Sequence, residues 1–253
     1  MLQVSFFKPP ISNIYRKIDT PLLAVLTYVK RGHSSIWFGD LQQITNEYRS
    51  IKDKKKKSDF KENNFPGFTP SGIFRCRKDD DLIEHSEVVH VDVDDLDKEQ
   101  FIKVQQSLKD IEPLIIASFT SPSKNGYKIF FRSNKDFTQR QNYEAGVKLL
   151  MEKLQLPKEK FDFSCSNLSR LCFMPYDPDC FISPILKQTG IIENIEQLNT
   201  GDLIKMPIVK PTGEPTVNNE VNQTAFDNPY LNGGKLDFKH KDDRQNGGKL
   251  YNL

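Results

Sequence analysis

The stretch VVHVDVDDL, residues 88–96, decides how this chain is read. Val89, Val91 and Val93 alternate with His90, Asp92 and Asp94, the period-2 pattern of a strand that buries one face. Asp is poorly suited to strands, and a carboxylate taken out of water is costly without a partner. Two carboxylates side by side on one strand face repel unless a cation lies between them. On this reading, removing either aspartate should leave the metal-free protein as stable as before or slightly more so.

The surrounding segments give the strand its setting. Downstream, Asp97 and Gln100 have capping-box spacing and open a helix with Phe101, Val104 and Leu108 inward. PLIIASFT (113–120) reads as a buried strand, SPSKNG (121–126) as a loop of turn residues, and YKIFF (127–131) as the returning strand. A helix is expected from about Thr138 to Leu154. KFDFSCSNLSRLCFMPYDPD (160–179) reads as a strand, a polar loop and a second strand, and residues 192–198 as a last short helix.

Upstream, VSFFKP is an opening strand and PLLAVLTYVKRG is a helix or a strand. Asp40 precedes a helix with Leu41, Ile44, Tyr48 and Ile51 on one face. That helix is expected to run into KDKKKK, placing Lys54 to Lys57 at its C-terminal end, where they favour the macrodipole. FPGFTPSGIFRCR (65–77) is turn chemistry leading to a short strand, and Trp37 is expected in the core.

Strands alternating with helices and hairpin-like returns predict an α+β domain over residues 1–204, with residues 205–253 as a disordered or linker-like tail rich in Asn, Gly and Pro. No apolar run approaches the roughly 20 residues of a membrane span, and the N-terminus lacks a signal-peptide pattern, so a cytoplasmic protein without membrane partners is expected. The four cysteines form no CxxC pair and read as free buried thiols rather than a zinc site. A formal net charge of +2 does not by itself argue for nucleic acid.

Three features could meet on the Asp92/Asp94 face. The carboxylate pair is the first. The second is SPSKNGYK, where Gly126 allows a ligand close to the backbone, the hydroxyls of Ser121 and Ser123 offer hydrogen bonds to phosphate, and Lys128 offers charge. The third is FDFSCSNLSRLCF, with Asp162 at an expected strand position and Arg170 opening the next apolar stretch. Carboxylates hold hard cations such as Mg²⁺ or Mn²⁺. Two such ions about 4 Å apart activate a hydroxyl nucleophile and stabilise a leaving pyrophosphate. His90 reads as a hydrogen-bonded strand histidine, Asp95 and Asp97 as turn and cap residues, Asp177 and Asp179 as turn residues, and Phe130 and Phe131 as core.

The order of these motifs resembles the archaeo-eukaryotic primase superfamily, and more closely the VirE N-terminal-type domain of bacterial mobile-element primases. The motifs are VVHVDVDDL, SFTSPSKNGYKIFF and FDFSCSNLSRLCFMPYDPD, with GFTPSGIF (67–74) upstream. The resemblance covers roughly residues 60–185. It implies a primase–polymerase fold, an RRM-like antiparallel sheet with helices beside an accessory α/β module whose N-terminal part is about residues 1–60. It implies Asp92, Asp94 and Asp162 as catalytic ligands of a two-metal Mg²⁺ or Mn²⁺ site. Ser121, Ser123, Lys128 and Arg170 would bind nucleotide. Nucleoside triphosphates and single-stranded DNA template would be the substrates, in replication of a mobile element or phage. Lys128 departs from the family's commonest residue, histidine, and is expected to meet phosphate as a point charge. No GxxxxGK[ST] motif is present, so a replicative helicase would be a separate partner. Two other readings are a catalytically inactive domain that binds single-stranded DNA or a replication partner, and a metal-dependent phosphohydrolase.

Overall fold

A computed structural model describes residues 2–15, 18–33, 39–184 and 186. Trp37, the short helix expected at 192–198 and the tail from residue 205 lie outside the described residues. The described chain runs β1 (Gln3–Phe7), β2 (Ile18–Pro21), α1 (Leu22–Arg31), α2 (Leu41–Ser50), α3 (Lys54–Asn64), β3 (Gly67–Thr69), β4 (Gly72–Phe74), β5 (Leu82–His85) and β6 (Val88–Val93). It continues through α4 (Lys98–Asp110), β7 (Ala117–Thr120), β8 (Tyr127–Arg132), α5 (Gln139–Leu154), β9 (Cys172–Phe173) and β10 (Phe181–Ile182). The fold is mixed α and β with antiparallel sheets, an α+β architecture. No helix among the described residues is long and apolar enough to cross a membrane.

Two four-stranded sheets organise the chain. The first has the order β2-β1-β3-β9 and the second β10-β7-β8-β6, with every pairing antiparallel; β4 and β5 form a separate hairpin. Within the second sheet β6 pairs only with β8 among the named strands. Its other edge is covered by residues 160–162. Val93 bridges Phe161, the Asp94 N–H donates to the Lys160 carbonyl at 2.8 Å, and the Asp162 N–H to the Asp92 carbonyl at 3.1 Å. β6 is therefore an interior strand at its functional end, which keeps its edge from serving as a template for another chain.

Alternation along β6 divides two cores. Val89, Val91 and Val93 join Ile129 and Phe131 of β8 in a cluster closed by Val104 and Leu108 of α4 and Tyr143, Val147 and Leu150 of α5. The opposite face of this sheet, through Phe119 and Phe130, packs against Phe6 and Phe68 of the first sheet and Leu22, Val25 and Val29 of α1. Phe68 and Phe130 stack with ring centroids 5.9 Å apart. Phe130 and Phe131 are thus core residues on opposite faces. The second sheet lies between helices on one side and the first sheet on the other, and His90 and Asp92 face the first sheet.

The helix ends follow local chemistry. Asp97 and Gln100 form a capping box at α4, as their spacing predicts, and Thr138 with Gln141 does the same at α5. Gly32, at φ 80°, closes α1 in the left-handed region. The lysine run corrects the sequence reading. α2 ends at Ser50, and Lys54 to Lys57 form the first turn of a separate helix, α3, capped by Asp53, whose side chain accepts from the Lys56 N–H at 2.8 Å. The chain leaves the first helix at Ile51, its extended C-cap, and Asp53 starts the next. The lysines consequently sit at the positive end of the α3 dipole, which disfavours them.

Candidate functional site

The register of β6 against β8 pairs Asp92 with Lys128 across the ladder. Both residues are nearly excluded from solvent, at 7% and 6% exposure, and the Lys128 ammonium donates to Asp92 Oδ2 in a short, buried ion pair. The cation that the carboxylate pair calls for is therefore, in part, supplied by the chain. Burial pushes the Asp92 carboxyl up, but the Lys128 charge outweighs it and holds the group below its usual value. Burial likewise disfavours the Lys128 ammonium, and Asp92 reverses this and raises it. Lys128 is thus not a free phosphate-binding charge: its first contact is Asp92.

Asp94 stands at the end of β6, half-buried. Burial first, and then the neighbouring charge of Asp92, raise its pKa. Asp162 reaches the same place by another route. It is not in a strand; only Phe161 makes a single bridge to β6, and Asp162 caps the 3₁₀ turn Phe163–Ser166. Its Oδ1 accepts from the Ser164 N–H at 2.9 Å and hydroxyl at 2.6 Å, and its Oδ2 from Arg170 at 2.8 Å. Burial raises this carboxyl, but the Ser164 hydrogen bonds and the Arg170 charge prevail and lower it. Tyr143 of α5 donates to the Asp162 carbonyl at 2.7 Å and fixes the turn to the core. Carboxylate oxygens of Asp92, Asp94 and Asp162 all lie within 4.8 Å of one another, close enough to share a metal ion. Asp92 Oδ1 is buried without a hydrogen-bond partner.

The loop 121–126 closes one side. Its Ser121 N–H donates to the Gly126 carbonyl at 2.8 Å, and the hydroxyls of Ser121 and Ser123 donate to the Asn125 side-chain oxygen. Arg49 of α2 holds the loop from outside, donating to the Pro122 carbonyl at 3.0 Å. Gly126 has a different role from the one expected of it. A Cβ there would overlap the Val93 carbonyl oxygen and stand 3.1 Å from the Asp94 Cα. The close approach is to β6, not to a ligand.

Together these groups line a cleft of about 360 Å³, within the size range of small-molecule sites. Asp92, Asp94, Asp162, Ser121, Ser123, Lys128 and Arg170 all border it, so the sequence-predicted residues share one cavity. The sequence reading missed the facing wall, where Lys61 of α3 and Arg77 add two more cations beside Ile11, Tyr48, Leu171 and Phe173. Lys61 lies 5.3 Å above the Phe173 ring, and Arg77 donates to the Ile11 carbonyl at 2.6 Å. Neither residue carries a local signal: Lys61 belongs to a polar helix and Arg77 to a segment read as a strand.

His90 lies one pleat along from Asp92, 1% exposed and stacked on Phe130. Neither ring nitrogen has a hydrogen-bond partner, contrary to the hydrogen-bonded histidine expected, because its nearest carboxylate oxygen, Asp92 Oδ1, is 3.8 Å from Nε2. Burial, reinforced by Lys128 and Arg170 against the pull of Asp92, lowers its pKa to about 4. The unfolded chain, with histidine near its usual 6.5, binds the proton first. The stability from a neutral His90 is therefore complete above pH 6.5 and lost as pH falls toward 4, about 3 kcal/mol across that window. Ring ¹⁵N NMR should find His90 neutral at pH 6; a protonated ring there overturns this. Asp177 is more than a turn residue: its carboxylate is buried and accepts from the Thr120 N–H at 2.7 Å, fixing the end of β7.

Residues 59–181 are similar to a protein family described as BT4734-like, N-terminal domain. This span contains every residue of the carboxylate cluster and of the 121–126 loop. No curated protein and no solved structure matches the chain.

Proposed function

We propose that the protein is a metal-dependent nucleotidyltransferase of the primase–polymerase type, acting on nucleoside triphosphates and a single-stranded DNA template. The observation that carries this reading is the convergence of Asp92, Asp94 and Asp162 within 4.8 Å, in a cleft also lined by the cations Lys61, Arg77, Lys128 and Arg170 and the hydroxyls of Ser121 and Ser123, with Glu62 as a further carboxylate. A simple anion site would not contain three carboxylates; a metal-dependent phosphohydrolase could use the same triad, and the assay below separates it. The strand arrangement is in keeping with an RRM-like core. Residue 161, β6, β8 and β7 lie side by side, antiparallel throughout, and α4 and α5 cover one face. β10 extends that sheet beyond β7.

The carboxylates suit Mg²⁺ or Mn²⁺, since their oxygens are hard donors, Asp92 keeps an unpaired oxygen, and burial and then the Asp92 charge disfavour the ionised Asp94 in the absence of a cation. Bound there, the ions would lower the barrier for hydroxyl attack and neutralise charge on the leaving pyrophosphate. Arg170, already a donor to Asp162, presents a planar fork to a triphosphate, with Lys61 and Arg77 facing it. Ser121 and Ser123 exchange their hydrogen bonds to Asn125 for phosphate oxygens. Lys128 holds Asp92 ionised and oriented. The resemblance to mobile-element primases supports a role in replication of such an element or a phage, alongside a separate helicase.

The test is incubation with a primed single-stranded template, labelled nucleotides and Mg²⁺ or Mn²⁺. Extension that a chelator abolishes is expected. Nucleotide or template binding without turnover would instead identify an inactive binding domain, and phosphate release without extension a phosphohydrolase.

A further inference from the structure

Beside the cleft, and buried more deeply, three donors of different chemistry meet. A ring nitrogen of His90, a carboxylate oxygen of Asp92 and Cys165 Sγ all lie within 4.8 Å of one another, and all three residues are buried. Three of the polar atoms here have no hydrogen-bond partner: both His90 nitrogens and Asp92 Oδ1. Orphaned buried polar atoms are uncommon and each costs about 1–3 kcal/mol. Here they accumulate on two adjacent inward-facing positions of one strand. The 3.8 Å between His90 Nε2 and Asp92 Oδ1 is too long for a hydrogen bond. It is close to the separation of roughly 3.3–3.7 Å between two donors bound tetrahedrally to one ion at bond lengths of about 2.0–2.3 Å.

We infer that His90, Asp92 and Cys165 form a second metal site, for a zinc-class divalent ion, sharing Asp92 with the carboxylate cleft. Imidazole, thiolate and carboxylate are the zinc donor set; Mg²⁺ avoids sulfur. The shared residue has the capacity. Asp92 Oδ2 is taken by Lys128, and Oδ1 is vacant. Cys165 is placed by the turn that Asp162 caps, with its N–H donating to the Asp162 carbonyl at 3.1 Å. Asp162 Oδ2 lies 3.9 Å from Sγ and offers a further oxygen. Binding forms the metal–sulfur bond as the thiol loses its proton to solvent. The ion reaches the site from the cleft, which Asp92 lines. Asp92 and Asp162 would then be fixed in position by metal as well as by Lys128 and Arg170.

Cobalt(II) titration of metal-free protein tests this without nucleotide or template, so its outcome is independent of any polymerase activity. A thiolate-to-cobalt charge-transfer band is expected, saturating at one equivalent, bleached by Zn²⁺ and unmoved by excess Mg²⁺. Cys165→Ser should abolish it and Asp94→Asn should leave it intact. No band in the wild-type protein, or one that survives Cys165→Ser and so arises from another thiol, overturns the site. X-ray absorption of the zinc-loaded wild-type protein decides the matter even if the serine variant does not fold. One sulfur in a mixed nitrogen and oxygen shell supports the site, and a shell without sulfur removes it.

Discussion

Asp92→Ala and Asp94→Ala should both abolish metal-dependent incorporation, yet move stability in opposite directions. Asp92 is the buried partner of Lys128. Removing it leaves the buried ammonium without its direct partner, with only the more distant Asp94 charge nearby, and breaking a buried pair from one side costs about 3–5 kcal/mol. For a domain of this size that is a fall in Tm of roughly 6–20 °C. Asp94 has the reverse balance: it is half-buried, and burial and the Asp92 charge both disfavour its ionised form. Because its folded pKa is raised, its cost grows as pH rises through the carboxylate range, and Asp94→Ala removes that cost. Its Tm at neutral pH should equal or exceed wild type, with the difference shrinking in acid. Thermal unfolding of both variants, with and without Mn²⁺, gives the answer. Equal losses from the two substitutions would show that the Lys128 pair carries no more energy than an exposed one. The Lys128 pairing thus confines the expectation of a cost-free removal to Asp94.

Gly126→Ala is expected to damage the site without touching a charged residue. The new methyl meets the Val93 carbonyl oxygen, which is backbone, so no rotamer change relieves the overlap. The start of β8 and the end of β6 have to separate. That strains the Ser121–Gly126 and Leu96–Asn125 backbone hydrogen bonds, 2.8 and 2.9 Å long. Overpacking of this kind costs about 1–3 kcal/mol, sometimes more. The separation also carries Asp94 away from Asp92 and Asp162, and a displacement near 1 Å at a reacting centre is worth about a hundredfold in rate. Activity should therefore fall much further than stability. Lys124→Ala, in the same loop but with an exposed side chain, serves as the comparison. Equal activity in the two variants would mean that the loop can move without moving Asp94.

Much of the site was legible because it rests on short-range rules. Period-2 alternation put Asp92 on the face opposite Val91, and capping chemistry set the start of α4. What stayed hidden depended on register and on long-range closure. Nothing near Lys128 announces Asp92, 36 residues away; only the β6–β8 ladder makes them neighbours. Lys61 and Arg77 enter the cleft because the first sheet packs over the second, a relation no local pattern encodes. Asp162 looked like a strand residue between two aromatics, but its side chain caps the following turn, a competition between local hydrogen bonding and the ladder that Asp often wins. The lysine run escapes local reading for a related reason, since Asp53, two residues after the α2 C-cap Ile51, caps a second helix.

The pairing of β3 with β9 bears on how the chain acquires its shape. Gly67 of the first sheet is partnered by Phe173, and Phe68 by Cys172. Most of that sheet emerges early in synthesis, but its edge cannot be completed until more than a hundred further residues have been made. Contacts so distant along the chain are slow to form because loop closure comes before its reward. The first 60 residues are consequently a poor independent folding unit, and a fragment ending near residue 160 lacks both β9 and β10. A ribosome-bound chain of that length would hold an unfinished sheet edge, exposed to pairing with a neighbour, until the segment carrying Arg170 and Phe173 arrived to close it.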